Sequence, residues 1–151
     1  FQKAIPRQRL VLSKSAPNKT FLISTWIKRR EYSTDQGFKI ATFDDIQQLI
    51  KSNNKDHVIL DVREYGEVEE GYIPTAKNVP LTQFAYAWEL SEKDFEATYG
   101  FDKPKQDVKI IPYCLKGVRS AMAAAHLSAI GYTNIENYLG SYDDYIKKKK
   151  D

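Results

Sequence analysis

The run Cys114-Leu115-Lys116-Gly117-Val118-Arg119-Ser120 holds the only cysteine of the chain, with two cations and a glycine close behind it. The apolar stretch Ile110-Ile111-Pro112-Tyr113 precedes it, and an alanine-rich stretch from Ser120 to Ile130 follows. A strand, a tight loop and a helix N-terminus in that order form an anion cradle, because the first N–H groups of a helix lack intrahelical partners and face the loop. A thiol held there is pushed toward thiolate, the nucleophilic form. Lys116 and Arg119 add positive charge, and Gly117 allows the turn that brings N–H groups inward. The chemistry implied is nucleophilic attack by Cys114 on an anionic substrate, with Lys116, Gly117 and Arg119 as the groups that bind it.

The elements that must position this loop read as an alternation of strands and helices. Phe38-Lys39-Ile40 opens a strand, and Thr42 is a helix N-cap with Asp45 three residues on and Ile46, Leu49 and Ile50 along one face. His57-Val58-Ile59-Leu60 is a continuous apolar strand, expected to be buried on both faces as parallel sheets require. It runs into Asp61-Val62-Arg63-Glu64, where the chain turns. A brief strand spans 76–80, helices are predicted at 82–89 and 91–99, and 108–113 is the strand feeding the cysteine loop. Helix 120–130 stops at Gly131, the last strand spans 135–139, and Gly140-Ser141 opens a final helix. That helix has Asp143 and Asp144 in its first turn and Lys147 to Lys150 at its end, the charge order its dipole favours. The predicted fold is a single α/β domain with a mostly parallel, five-stranded sheet flanked by helices. Ligands of such sheets bind beyond the carboxyl ends of the strands, so Asp61-Val62-Arg63 and the Cys114 loop are expected to face one crevice.

Composition narrows the function classes. The 151 residues suffice for one domain and an extension, and no apolar run approaches the length of a membrane span. A single cysteine excludes an internal disulfide, and two histidines far apart, His57 and His126, give no zinc-site spacing. The net charge of +3 is unevenly distributed. Eight basic residues and no acid fall in residues 1–30, so the rest of the chain is net acidic and bulk charge gives no case for a nucleic-acid partner. The leader is basic, acid-free and rich in hydroxyls, with scattered apolar residues, the profile of a mitochondrial transit peptide. Residues 1–32 are accordingly expected to be a disordered, cleaved leader, cut after Tyr32 at Arg30-Glu31-Tyr32-Ser33, with 33–151 as the folded domain in the mitochondrial matrix. The chain begins at Phe1, not at a methionine, so its start is expected to be missing.

Several motifs in order carry a family resemblance: Leu60-Asp61-Val62-Arg63-Glu64, Gly71-Tyr72-Ile73-Pro74 through Val79-Pro80, Cys114 to Arg119, Gly131-Tyr132-Thr133-Asn134, and Leu139-Gly140-Ser141. From about residue 38 to 147 the chain resembles the rhodanese domain, most closely the single-domain mitochondrial thiosulfate sulfurtransferases of fungi. Tyr72 departs from the histidine that many members carry in that turn, a change expected to touch packing more than chemistry. The resemblance implies that Cys114 takes a sulfane sulfur from a small-molecule donor such as thiosulfate, holds it as a persulfide and passes it to cyanide or a thiol. It implies Lys116 as a thiosulfate contact, Arg63 in substrate docking or loop support, and no metal or organic cofactor. Asp61 reads as structural support, accepting loop N–H groups or pairing with Arg63 or Arg119. Oligomeric state is not legible. Phe84, Tyr86 and Trp88 are divided between pocket wall and core.

Two rival readings remain at this level. A cysteine-dependent phosphatase or arsenate reductase would use a similar loop, but with five residues between cysteine and arginine. Here four residues separate Cys114 from Arg119. The other rival is a persulfide carrier or binding module without turnover.

Overall fold

In the computed structural model, residues 32–33, 37–52 and 54–151 are described. The transit peptide expected over residues 1–32 lies outside them except for Tyr32.

Strands β1 (Tyr32–Ser33), β2 (Phe38–Ala41), β3 (His57–Asp61), β4 (Lys77–Asn78), β5 (Lys109–Tyr113) and β6 (Glu136–Tyr138) alternate with helices. The helices are α1 (Phe43–Lys51), α2 (Tyr65–Glu69), α3 (Phe84–Glu89), α4 (Glu92–Tyr99), α5 (Val118–Ala129) and α6 (Ser141–Lys150), with a 3-10 turn at Leu81–Gln83 before α3. Thr42 caps α1 as expected: its hydroxyl accepts the Asp45 N–H at 3.3 Å and the Asp45 carboxylate accepts the Thr42 N–H at 2.8 Å. Helix α2 is absent from the sequence reading, which has the chain simply turning after Asp61. Glu64 and Glu67 form a capping box there, with a Glu64 N–H to Glu67 bond of 3.0 Å. No helix among the described residues is long and apolar enough to cross a membrane.

The strands form two three-stranded ladders, β1-β2-β6 and β4-β3-β5, parallel throughout except for the antiparallel β1–β2 pair. The five expected parallel strands are all present, but β5 meets β6 only through a single parallel bridge, Ile110 to Ile135. Pro112 explains the break. The Tyr113 carbonyl accepts the Val62 N–H on the β3 side, and the Ile110 N–H reaches Asn134 on the β6 side, so by alternation Pro112 faces β6. It has no N–H to extend that ladder.

Side chains alternate between the faces of the joined ladders. Leu60, Ile110 and Cys114 lie on one face with α3, α4 and α5, and Ile59, Ile111 and Tyr113 lie on the other with α1 and α6. Strand β3 is fully buried only from Ile59 onward, because His57 and Val58 lie half-buried at its leading end. Phe84 and Trp88 stack at 4.5 Å inside the core, whereas Tyr86 is exposed.

Candidate active site

Strand β5 delivers Cys114 to the crest of the sheet, and the next three residues turn the chain into α5. Gly117 makes that turn at φ +96°, and a Cβ there would collide with the Leu139 carbonyl oxygen, so only glycine fits. Its N–H points back at the Cys114 sulfur, with N to Sγ 3.0 Å. The Ser120 hydroxyl lies 3.6 Å from Sγ and the Ser141 hydroxyl 3.9 Å. Burial raises the thiol's pKa. The N–H and hydroxyl of Ser120 and the N–H groups of Gly117 and Lys116 outweigh it, leaving Cys114 below the ordinary thiol value.

The loop is fixed from behind by α6. The Tyr142 N–H donates to the Cys114 carbonyl at 2.9 Å and the Asp143 N–H to the Leu115 carbonyl at 3.0 Å. The Cys114 N–H donates to the Ser141 hydroxyl at 3.1 Å, and that hydroxyl donates to the Tyr138 carbonyl at 2.7 Å. With these carbonyls occupied on the α6 side, the neighbouring amides face the sulfur. Cys114 is 1% exposed, so its thiol is buried beneath the loop.

The structure separates the charged residues named from sequence. Lys116 stands exposed on the loop. Arg119 grips Glu67 with both arms of its guanidinium, at 2.7 and 2.8 Å, and this bond holds the Glu67 carboxyl down at about 2. Arg63 is 2% exposed and bonds Asp61 through Nε at 3.0 Å and through Nη2 at 2.7 Å. Its Nη2 also donates to the Gly71 carbonyl at 2.8 Å, and the guanidinium lies 4.2 Å from the Tyr142 ring. The Tyr113 hydroxyl donates to Asp61 at 2.6 Å and accepts the Ile73 N–H at 3.1 Å. Burial first, then the Asp61 charge, raises the Tyr113 hydroxyl well above its ordinary value. Asp61 is thus a buried hub that ties the β3 turn to β5 and to the turn before β4. Arg63 points its donors into that hub, at Asp61 and the Gly71 carbonyl. Tyr72 is 57% exposed, so its departure from the family's histidine falls on the surface and not on packing.

Sequence reasoning missed Ser120 and Ser141 as neighbours of the sulfur, Glu67 as the partner of Arg119, and Tyr113 as the brace of Asp61. Ser120 had a signal: it falls in the first turn of the helix that follows the nucleophile. Glu67 had one too, as the third residue of a Glu-x-x-Glu capping box.

The fold and the site define a parallel α/β domain that holds a strand-end cysteine under converging amides. The rhodanese-like domain family matches residues 42–148, and the chain belongs to that family. Its enzyme class is that of the sulfurtransferases. The Saccharomyces cerevisiae mitochondrial thiosulfate sulfurtransferase RDL2 is 36% identical over 115 residues, covering 76% of this chain and 77% of its own. The human thiosulfate:glutathione sulfurtransferase is 33% identical over 114 residues, covering 75% of this chain and 97% of its own. The crystal structure of the S. cerevisiae RDL2 sulfurtransferase superposes with a TM-score of 0.68 at 37% identity, covering 76% of this chain and 94% of that one.

Proposed function

We propose that this chain moves sulfane sulfur from thiosulfate, or from a persulfide donor, to cyanide or a thiol through a persulfide on Cys114. The observation that carries the reading is the Gly117 N–H aimed at Sγ at 3.0 Å, within a loop that holds the thiol below its ordinary pKa. The Cys114 thiolate attacks the outer sulfur of thiosulfate, an S–S bond forms to Sγ, and the bond to the sulfonyl sulfur breaks with its electron pair leaving on sulfite. An acceptor thiolate or cyanide then attacks the outer sulfur of the persulfide and leaves as a persulfide or thiocyanate, returning the Cys114 thiolate. Loop N–H groups stabilise charge on both sulfurs. The exposed Lys116 supplies the positive potential an anionic donor meets, Arg119 is matched by Glu67, and Asp61 with Arg63 keeps the crest of the sheet in register. Four residues separate Cys114 from Arg119, one fewer than in the phosphatase loop, a spacing that disfavours a tetrahedral phosphate. Arg119, closed by Glu67, is also poorly disposed to act as a phosphate fork.

Residues 1–32 are proposed as a leader that directs the chain to the mitochondrial matrix, in keeping with the mitochondrial name of the RDL2 relative. The proposed cleavage after Tyr32 falls inside β1.

Intact-mass measurement after incubation with thiosulfate tests the mechanism. The wild type should gain one sulfur atom per chain and release it to cyanide or a thiol, and Cys114→Ser should do neither. Turnover by the serine variant at the wild-type rate refutes the assignment.

A further inference from the structure

The Cys114 sulfur meets the Gly117 N–H at 3.0 Å, the Ser120 hydroxyl at 3.6 Å and the Ser141 hydroxyl at 3.9 Å. The two hydroxyls differ in where their protons go. Ser141 is engaged at both ends: its oxygen accepts the Cys114 N–H at 3.1 Å and its proton goes to the Tyr138 carbonyl at 2.7 Å. Ser120 is placed differently. Its oxygen accepts the Cys114 S–H, and its proton goes to the Gly117 carbonyl at 3.1 Å. That carbonyl also accepts the Ala121 N–H at 3.2 Å, so it stays paired when Ser120 turns away. Ser120 is fully buried, which leaves its hydroxyl to protein partners. An ionised sulfur has no proton to give and becomes an acceptor. The hydroxyl then gains a new partner and strands none. Burial raises the Cys114 thiol, and the Ser120 N–H and hydroxyl come first among the groups that bring it below its ordinary value. Lys116 stands exposed on the loop, Arg119 is closed by Glu67, and Asp143 at the start of α6 is paired with Lys147.

We propose that Ser120 is a catalytic residue for the release of sulfur: its hydroxyl swings from the Gly117 carbonyl to Sγ when Cys114 becomes the leaving thiolate, and swings back when Sγ carries the transferred sulfur. The inference rests on the reading of Cys114 as the persulfide-forming nucleophile. In loading, the thiolate gives an electron pair to the new S–S bond, so the hydroxyl's bond to Sγ is strongest before the step. In unloading, cyanide bonds to the outer sulfur, the S–S bond breaks with its electron pair going to Sγ, and the hydroxyl's bond strengthens as that charge grows. Ser120 keeps its proton throughout. It therefore favours departure of the thiolate and restrains its attack.

Ser120→Ala removes the hydroxyl and leaves the Gly117 carbonyl its Ala121 partner. The full chain is loaded with thiosulfate in a single turnover, read as sulfite released, then desalted and mixed with cyanide, read as thiocyanate formed. Both steps are run above the variant's thiol pKa, taken from the pH profile of iodoacetamide alkylation, which should move up by about one unit. There loading should quicken about threefold and unloading slow about threefold, the sensitivity of thiol exchange to one unit of pKa, so their ratio rises about tenfold. Misfolded chains take part in neither step, so the ratio reports the folded ones. Ser120→Gly, which lacks the same oxygen, carries the test if the alanine variant does not fold. Two steps that change equally mark a structural role and overturn the proposal, as does an alkylation profile that stays in place. The two readings fail separately. A wild type that never loads sulfur refutes the persulfide mechanism. A variant that loads and releases sulfur in the wild-type ratio keeps the mechanism and refutes the role of Ser120.

Discussion

Replacing Gly117 by alanine probes the thiolate cradle most directly. At φ +96° an L-residue is strained, by roughly 1–2 kcal/mol for the left-handed region. The added Cβ would also run into the Leu139 carbonyl oxygen, with the carbonyl carbon at 3.1 Å and Cδ1 at 3.2 Å. That neighbour is backbone held beside α6, so the loop has to move instead. The movement falls on the 3.0 Å bond from the Gly117 N–H to Sγ. A hydrogen bond to a charged group contributes about 1.5–3 kcal/mol, and at about 1.4 kcal/mol per pH unit its loss should raise the thiol's apparent pKa by about one to two units. Removing one preorganised donor of this kind lowers turnover about 100-fold. Three measurements separate the effects: thiosulfate-dependent thiocyanate formation, the pH profile of iodoacetamide alkylation, and thermal unfolding. The alanine variant should lose turnover, shift its alkylation profile upward and melt several degrees lower, since each kcal/mol shifts Tm by roughly 2–4 °C at this chain length. A variant that melts lower yet keeps the wild-type turnover and pH profile would show that the amide gives the sulfur nothing.

Two further outcomes follow from the buried hub and the surface pair. Tyr113→Phe strands the Ile73 N–H and withdraws a donor from Asp61, both buried, and should cost about 1–3 kcal/mol. A melting temperature within about one degree of wild type would contradict the hub, given the expected slope of degrees per kcal/mol. Glu67 has a folded pKa of about 2 against an ordinary 4.5, a depressed carboxylate. Its stabilising effect is therefore complete above pH 4.5 and is lost as pH falls toward 2. The stability gap between wild type and Glu67→Gln should be present at neutral pH and close on acidification. A gap that widened with acid would reverse the sign.

The alternation of strands and helices was legible because it rests on local signals. Thr42 with Asp45, Gly131, and Asp143 with the lysine run each mark a helix end by their own chemistry. The β5–β6 break was harder to see. Pro112 was visible, but which edge it faced depended on a register that no local pattern states. Helix α2 escaped because five residues are too few for periodicity to show. At the site, Cys114, Gly117 and Lys116 lie together on one loop as expected, since their placement comes from adjacency in sequence. Arg63 and Arg119 drew the opposite lesson. Both look like substrate receptors as isolated cations, yet each is matched by a carboxylate, Asp61 two residues away and Glu67 across the fold. A side chain's partner is a tertiary fact, and charge in sequence does not tell whether the fold has already used it.

The two helices that meet at the cysteine loop divide its backbone between them. Helix α5 turns N–H groups toward Sγ. It can do so only if the loop's carbonyls have other donors, because a peptide that offers its N–H to one side presents its C=O to the other. Helix α6 supplies those donors through the N–H groups of Tyr142 and Asp143. Ser141 begins α6 at φ +57°, an unfavourable conformation for a buried residue that is not glycine. Its hydroxyl compensates with two hydrogen bonds, one accepted from the Cys114 N–H and one donated to the Tyr138 carbonyl, each contributing on the order of 1 kcal/mol. These bonds, with those of Tyr142 and Asp143, seat the start of α6 against the back of the loop, on the side away from the Gly117 N–H that faces Sγ.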